Sequence, residues 1–197
     1  MPTPLILLAP GAGAPSTSPF MQDWARRLGH LGEAVTFDYP YALAGRRRPD
    51  RLPVLLEAHR AALHEAARRH PGPVVLAGKS MGSRIGCHLA LEEPPRALVC
   101  FGYPLVGASG AVRDEVLLAL ATPVLFVQGT RDHLCPLEHL DSVRARMKVA
   151  TALHVVDGGD HSLRPTKTHL RELGLTEDAL DASIEAVVAE FVRAHVG

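Results

Sequence analysis

The chain has few cysteines, few lysines, few aromatics, no excess of charge and no long apolar run. Its three cysteines, Cys87, Cys100 and Cys135, have no CxxC spacing and are odd in number. That pattern fits neither a disulfide framework nor a zinc site, and Cys87 and Cys100 stand in apolar company as packing residues. Lys79, Lys148 and Lys167 are the only lysines, and the 21 basic residues balance the 21 acidic ones. A net charge of zero argues against a general nucleic-acid binder, which carries a basic excess. No apolar run approaches the ~20 residues of a membrane span. The stretch "MPTPLILLAPGAG" has no basic start and only a short apolar segment, so it does not read as a signal peptide. These absences leave a cytoplasmic protein with no membrane or nucleic-acid partner. At 197 residues and 47% hydrophobic content, a single domain over 1–197 is expected.

What is present is alternation. Short apolar runs at 5–9, 34–38, 74–77, 97–101, 124–128 and 153–156 predict strands. Most lack an apolar/polar alternation, which is how strands covered on both faces read. Amphipathic stretches near 19–30, 52–70, 80–92, 112–121, 136–148 and 176–195 predict the helices between and after them. Thr176 before Glu177 and Asp178 marks the start of the last helix. The β-α-β-α order predicts a mostly parallel sheet with helices on both faces. "AGRRRPDR", 44–51, reads as a polar surface loop.

Residues 74–83, "VVLAGKSMGS", carry two competing patterns. Gly78-Lys79-Ser80 resembles the end of a phosphate-binding loop. That loop needs G-x-x-x-x-G-K-[ST], and Pro73 stands where its first glycine belongs. The residues between read as buried strand, so the phosphate cradle is missing. Gly78-Lys79-Ser80-Met81-Gly82 is also a full G-x-S-x-G. A nucleophilic serine needs a sharp strand-to-helix turn with small neighbours, and this pentapeptide falls between a strand and a helix.

A serine hydroxyl needs a general base, and the base needs an acid that fixes its tautomer. Asp132 follows the strand "PVLFVQ" and His161 follows "LHVV". Ser80, Asp132 and His161 thus occur in hydrolase order, each after the end of a strand. Asp157, Asp160 and Asp114 are rival acids. His59 and His64 share a helix, but they are five apart, lack the HExxH glutamate and have no third ligand, so no metal is expected.

An oxyanion needs two N–H donors. Met81, after the nucleophile, is one candidate. Ala12 in the loop "APGAGAPSTSPF" is the other, with Gly11 and Gly13 as neighbours that would replace it. The same Gly11-x-Gly13, with Asp38 at the next strand end, mimics a dinucleotide fingerprint. Ser16 replaces its third glycine, and Pro15 and Pro19 lengthen the loop.

Together "LAPGAGAPSTSPFM", "FDYPYALAGRRRPDR", "GKSMGSR", "FGYPL", "PVLFVQGTRD" and "GGDHSL" resemble the small, cap-less α/β-hydrolases of the dienelactone-hydrolase-like group. That group includes the hydrolase-like domain of an NSL chromatin-complex subunit. The resemblance implies an α/β-hydrolase fold with a minimal six-stranded sheet of order 2-1-3-4-5-6 and no cap domain. It implies Ser80 as nucleophile, Asp132 as acid and His161 as base, with no cofactor. Pro10 and Ser83 depart from the group's usual histidine and glycine. Dienelactone hydrolases proper use cysteine where this chain has Ser80.

The expected activity is a carboxylesterase-like cleavage of short acyl esters or thioesters by a monomer or homodimer. Gly11, Gly13, Lys79 and Tyr103 are expected to contact the substrate. Tyr39 and Tyr41 line the cleft or only pack. Arg46, Arg47, Arg48 and Arg51 with Lys79 favour an anionic substrate or form a solvated loop. The alternative is a hydrolase-fold protein-interaction module with little or no catalytic activity.

Overall fold

The continuous apolar runs become the interior of a sheet. The computed structural model describes residues 3–107 and 109–197; Met1, Pro2 and Ala108 lie outside the described residues. Strands β1 (Leu5–Ala9), β3 (Val74–Lys79), β4 (Ala97–Phe101) and β5 (Val124–Gly129) are almost wholly buried. Strands β2 (Glu33–Thr36) and β6 (Thr151–Val156) are half-buried and form the two edges. All pairings are parallel, and the six strands lie in the order β2-β1-β3-β4-β5-β6. The expected sheet order is therefore the observed one.

Successive residues of a strand point to opposite faces. Ile6 and Leu8, Val75 and Ala77, Val99 and Phe101, and Leu125 and Val127 pack to one side. They meet Met21, Trp24 and Leu28 of α1 (Pro19–Leu28) and Ile184, Val188 and Phe191 of α8 (Glu177–Val196). Leu5 and Leu7, Leu76, Leu98 and Cys100, and Val124 and Phe126 pack to the other side. There they meet α3 (Leu52–Arg69), α4 (Met81–Ala90), α5 (Glu115–Ala119) and α6 (Leu137–Arg144). Burying each such leucine or valine contributes ~1.5–3 kcal/mol.

Several boundaries differ from the sequence expectation. The edge strand β2 stops at Thr36, freeing Phe37 and Asp38 for other contacts. The helix expected over 112–121 shrinks to α5, because Val106 and Val112 pair as an isolated antiparallel bridge. Two short helices arise where no helix or strand was expected, α2 (Pro40–Leu43) and α7 (Lys167–Glu172). Each buries one side chain, Tyr41 or Leu170, so neither shows a helical period in the sequence. The predicted cap of α8 is present, since Thr176 Oγ1 accepts from the Ala179 N–H at 3.1 Å.

The chain leaves β1 for the β2 edge, then returns past β1 to β3. Neighbouring strands β1 and β3 therefore send their next segments apart, which opens a crevice beyond their C-terminal ends. Gly11 and Ser80 face each other there. A Cβ placed on Gly11 would lie 3.5 Å from the Ser80 Cβ.

Candidate active site

Ser80 joins β3 to α4 with φ 50° and ψ −115°, a conformation unfavourable for a residue with a side chain. Its neighbours explain how the turn closes. A Cβ on Gly78 would meet Ser83 N at 2.3 Å, and one on Gly82 would meet Ala9 O at 2.4 Å. Only glycine fits either place. Ser80 N–H donates to Phe101 O at 2.9 Å, and Ser83 Oγ donates to Ser80 O at 2.6 Å.

The strand-end loops bring two distant residues to this turn. His161 Nε2 lies 2.7 Å from Ser80 Oγ, and His161 Nδ1 lies 2.8 Å from Asp132 Oδ2. A proton on Nδ1 donates to the carboxylate, which leaves Nε2 to accept from the serine hydroxyl. The Asp132 side chain is fully buried. Burial alone would push its carboxyl up. Hydrogen bonding and opposite charge from His161, with N–H donors from Leu134 and Gln128, outweigh this and hold it below the ordinary range.

The rival acids are engaged elsewhere. Asp157 Oδ2 pairs with His169 Nε2 at 2.9 Å. Asp160 accepts from the N–H groups of Ser162 and Arg164 and so shapes the His161 turn. Asp114 accepts from Arg146 at 2.5 Å.

Gly11, Ala12, Ser18, Phe20, Lys79, Ser80 and His161 open onto one cavity of about 660 Å³ that runs on between α1 and the start of α8. The Ala12 and Met81 N–H groups have no acceptor within the described residues. The Ala12 loop is anchored on either side. Gly13 N–H donates to Tyr41 OH at 3.3 Å, and Tyr41 OH donates to Gly11 O at 3.5 Å. Ser16 N–H and Oγ–H both donate to Asp38, at 2.7 and 2.8 Å.

Two expected substrate contacts are not in the cavity. Tyr103 is fully buried, edge-on to Phe126 in the core, because the chain turns inward after β4. Gly13 is exposed and lies outside the cavity lining, and its N–H donates to Tyr41. Tyr39 and Tyr41 are buried, so neither lines the cleft. Arg46 pairs with Asp50 in an exposed loop away from the cavity. His59 is buried among aromatic rings and is apart from His64, which pairs with Glu93.

Lys79 lies on the cavity wall, and its Nζ donates to His161 O at 2.5 Å. Burial pulls it down to about 8, against the opposing pull of Asp132 and Asp160. Sequence reasoning missed this link, as it missed Gln128, whose Nε2 donates to Asp132 at 2.6 Å. Gln128 left one signal, a polar side chain ending an apolar strand. The Tyr41 and Asp38 anchors left none, because only the fold brings β2 to the Ala12 loop.

A family profile described as alpha/beta hydrolase domain matches residues 2–193. Solved structures share the fold. An alpha-beta serine hydrolase homologue from Coxiella burnetii is 23% identical over 87% of this chain and 82% of its own, with a TM-score of 0.69. Est1E from Butyrivibrio proteoclasticus, solved with ferulic acid bound, is 17% identical over 99% and 90%, with a TM-score of 0.71. A dienelactone hydrolase from Anabaena variabilis is 18% identical over 100% and 88%, with a TM-score of 0.74.

Proposed function

The chain belongs to the alpha/beta hydrolase domain family, and on that premise we propose that it is a serine hydrolase of carboxylesterase type acting on short acyl esters or thioesters. One observation carries the proposal: the unbroken hydrogen-bonded line from Ser80 Oγ through both ring nitrogens of His161 to the buried Asp132 carboxylate. Each group in that line has the partner its role needs. The cavity volume of about 660 Å³ lies in the range of small-molecule sites.

In the first half-reaction Ser80 Oγ bonds to the acyl carbon while its proton passes to His161 Nε2. Asp132, charged and already hydrogen-bonded to Nδ1, stabilises the imidazolium without taking its proton. The carbonyl electrons move to oxygen, where the Ala12 and Met81 N–H groups donate to the oxyanion. Each such donor contributes about 2.7–4 kcal/mol in comparable enzymes. The bond to the leaving oxygen or sulfur then breaks, and His161 returns the proton to it. In the second half-reaction water gives its proton to His161, its oxygen bonds to the acyl carbon, and Ser80 leaves with that proton.

The test is labelling by a fluorophosphonate, read as intact mass, on wild type, Ser80→Ala and His161→Ala. One adduct on wild type and none on either variant is expected, followed by turnover of short p-nitrophenyl esters. A folded wild type that takes no adduct overturns the reading and favours an interaction module on the same fold.

A further inference from the structure

Three basic side chains line the cavity, Arg27, Lys79 and Arg164, and they differ in how they are neutralised. Arg27 is ion-paired with Asp23, Asp178 and Glu185. Arg164 is paired with Asp181 at 2.5 Å. Among the described residues, Lys79 has no carboxylate at ion-pair distance; its protein acceptor is the neutral carbonyl of His161. An ammonium carries three donors, and this contact uses one. Lys79 is only 9% exposed, so water has largely been removed from a charge that Asp132 and Asp160 offset only from a distance, without an ion-pair contact among the described residues. The Phe20 ring, 5.8 Å from Nζ, closes another side of it.

The cavity's carboxylates do not fill this role. Asp23, Asp178 and Asp181 are held by the two arginines, and Glu177 stands on the first turn of α8. Lys79 adjoins the nucleophile in the chain. The acyl half of an ester is the half that stays bonded to Ser80 through both steps, so it is the half that remains within reach of Lys79.

We propose that Lys79 is a specificity-determining residue and that the preferred substrate is an ester whose acyl group carries a carboxylate a few bonds from the scissile carbonyl. This rests on the serine hydrolase reading. The His161 carbonyl holds the ammonium at the cavity wall, and its remaining donors bond the substrate carboxylate. A charge-assisted hydrogen bond of this kind is enough for about tenfold discrimination or more.

The measurement is kcat/KM for monoethyl glutarate against ethyl pentanoate, which share a five-carbon acyl chain, at low ionic strength. Wild type is expected to favour the anionic ester about tenfold or more. Lys79→Met is expected to bring the ratio to one or below, and Lys79→Arg to keep most of it. The preference also falls as pH rises through about 8, where Lys79 loses its charge among Asp132, Asp160 and His161. Equal rates in wild type, or a preference that survives in Lys79→Met, overturn the proposal. Glutarate binding to Ser80→Ala, with and without Lys79→Met, separates this inference from the reading beneath it. Lys79-dependent binding to a protein whose Ser80 takes no fluorophosphonate keeps the anion site and removes the hydrolase. A labelled Ser80 without anion preference does the reverse.

Discussion

Two histidines flank the elbow helix α4 and have opposite surroundings. His161 stands at its start, with one ring nitrogen on a buried carboxylate and the other on Ser80 Oγ. His59 packs against its middle, where a Cβ on Gly86 would lie 3.5 Å from the His59 ring. His59 is fully buried beside Phe37 and Tyr39, its Nδ1 shares a 3.2 Å hydrogen bond with Tyr39 OH, and its Nε2 has no partner within the described residues. Among the described residues no carboxylate pairs with it, and burial pulls it down to about 3. The side chain of His161 is 31% exposed, enough to meet a substrate. The difference teaches that burial alone keeps a histidine neutral and inert. A buried acid on one nitrogen and an open cavity on the other equip it to take and return a proton.

The strongest way to break this comparison is to take the acid from His161. Asp132→Asn removes the charge that favours the imidazolium and disrupts the tautomer, so turnover should fall about 10⁴-fold with the fold kept. Ester kinetics beside a circular dichroism spectrum check it. A loss under tenfold would mean that Asp132 does not orient the base.

His59 is the converse case. Its proton affinity is lower folded than unfolded, so the unfolded chain binds the extra proton between 6.5 and about 3. Wild type therefore loses stability as pH falls through that window, by up to about 1.4 kcal/mol per unit. His59→Leu should escape that loss. Urea titrations from pH 7 to 4 should show the variant overtaking wild type, with its activity at pH 7 within about twofold.

Lys79 sharpens the comparison on the side of His161. Its proton affinity is also lowered by folding, so the unfolded chain binds the extra proton between about 8 and 10.5. Wild-type stability rises with pH across that window, by up to about 3 kcal/mol relative to Lys79→Met. Parallel denaturation curves over pH 7–10.5 would show that the ammonium is not desolvated. The smallest effect belongs to Tyr39→Phe, which removes the partner of the His59 Nδ1. It should cost about 1–2 kcal/mol at neutral pH and leave labelling of Ser80 unchanged.

The sheet was readable from the chain because burial on both faces writes itself as an unbroken apolar run, as in Leu5–Ala9 and Ala97–Phe101. The helices α2 and α7 were not, since each buries a single side chain and so has no period. Tyr103 misled because position after a strand does not say which way a side chain turns. Its ring went into the core against Phe126.

By itself the sequence determined the alternation of strands and helices, the glycine-flanked turn at Ser80, and an acid and a histidine after later strands. These are local properties, set by periodicity, steric need and chain order. Tertiary structure decided that Asp132, and not Asp157, Asp160 or Asp114, meets His161. It also decided that, among the described residues, Lys79 is the cavity cation without a carboxylate at ion-pair distance, and that Tyr41 and Asp38 hold the Ala12 loop. Pairing and desolvation depend on which distant segments share a few ångströms, and only the packed sheet sets those distances.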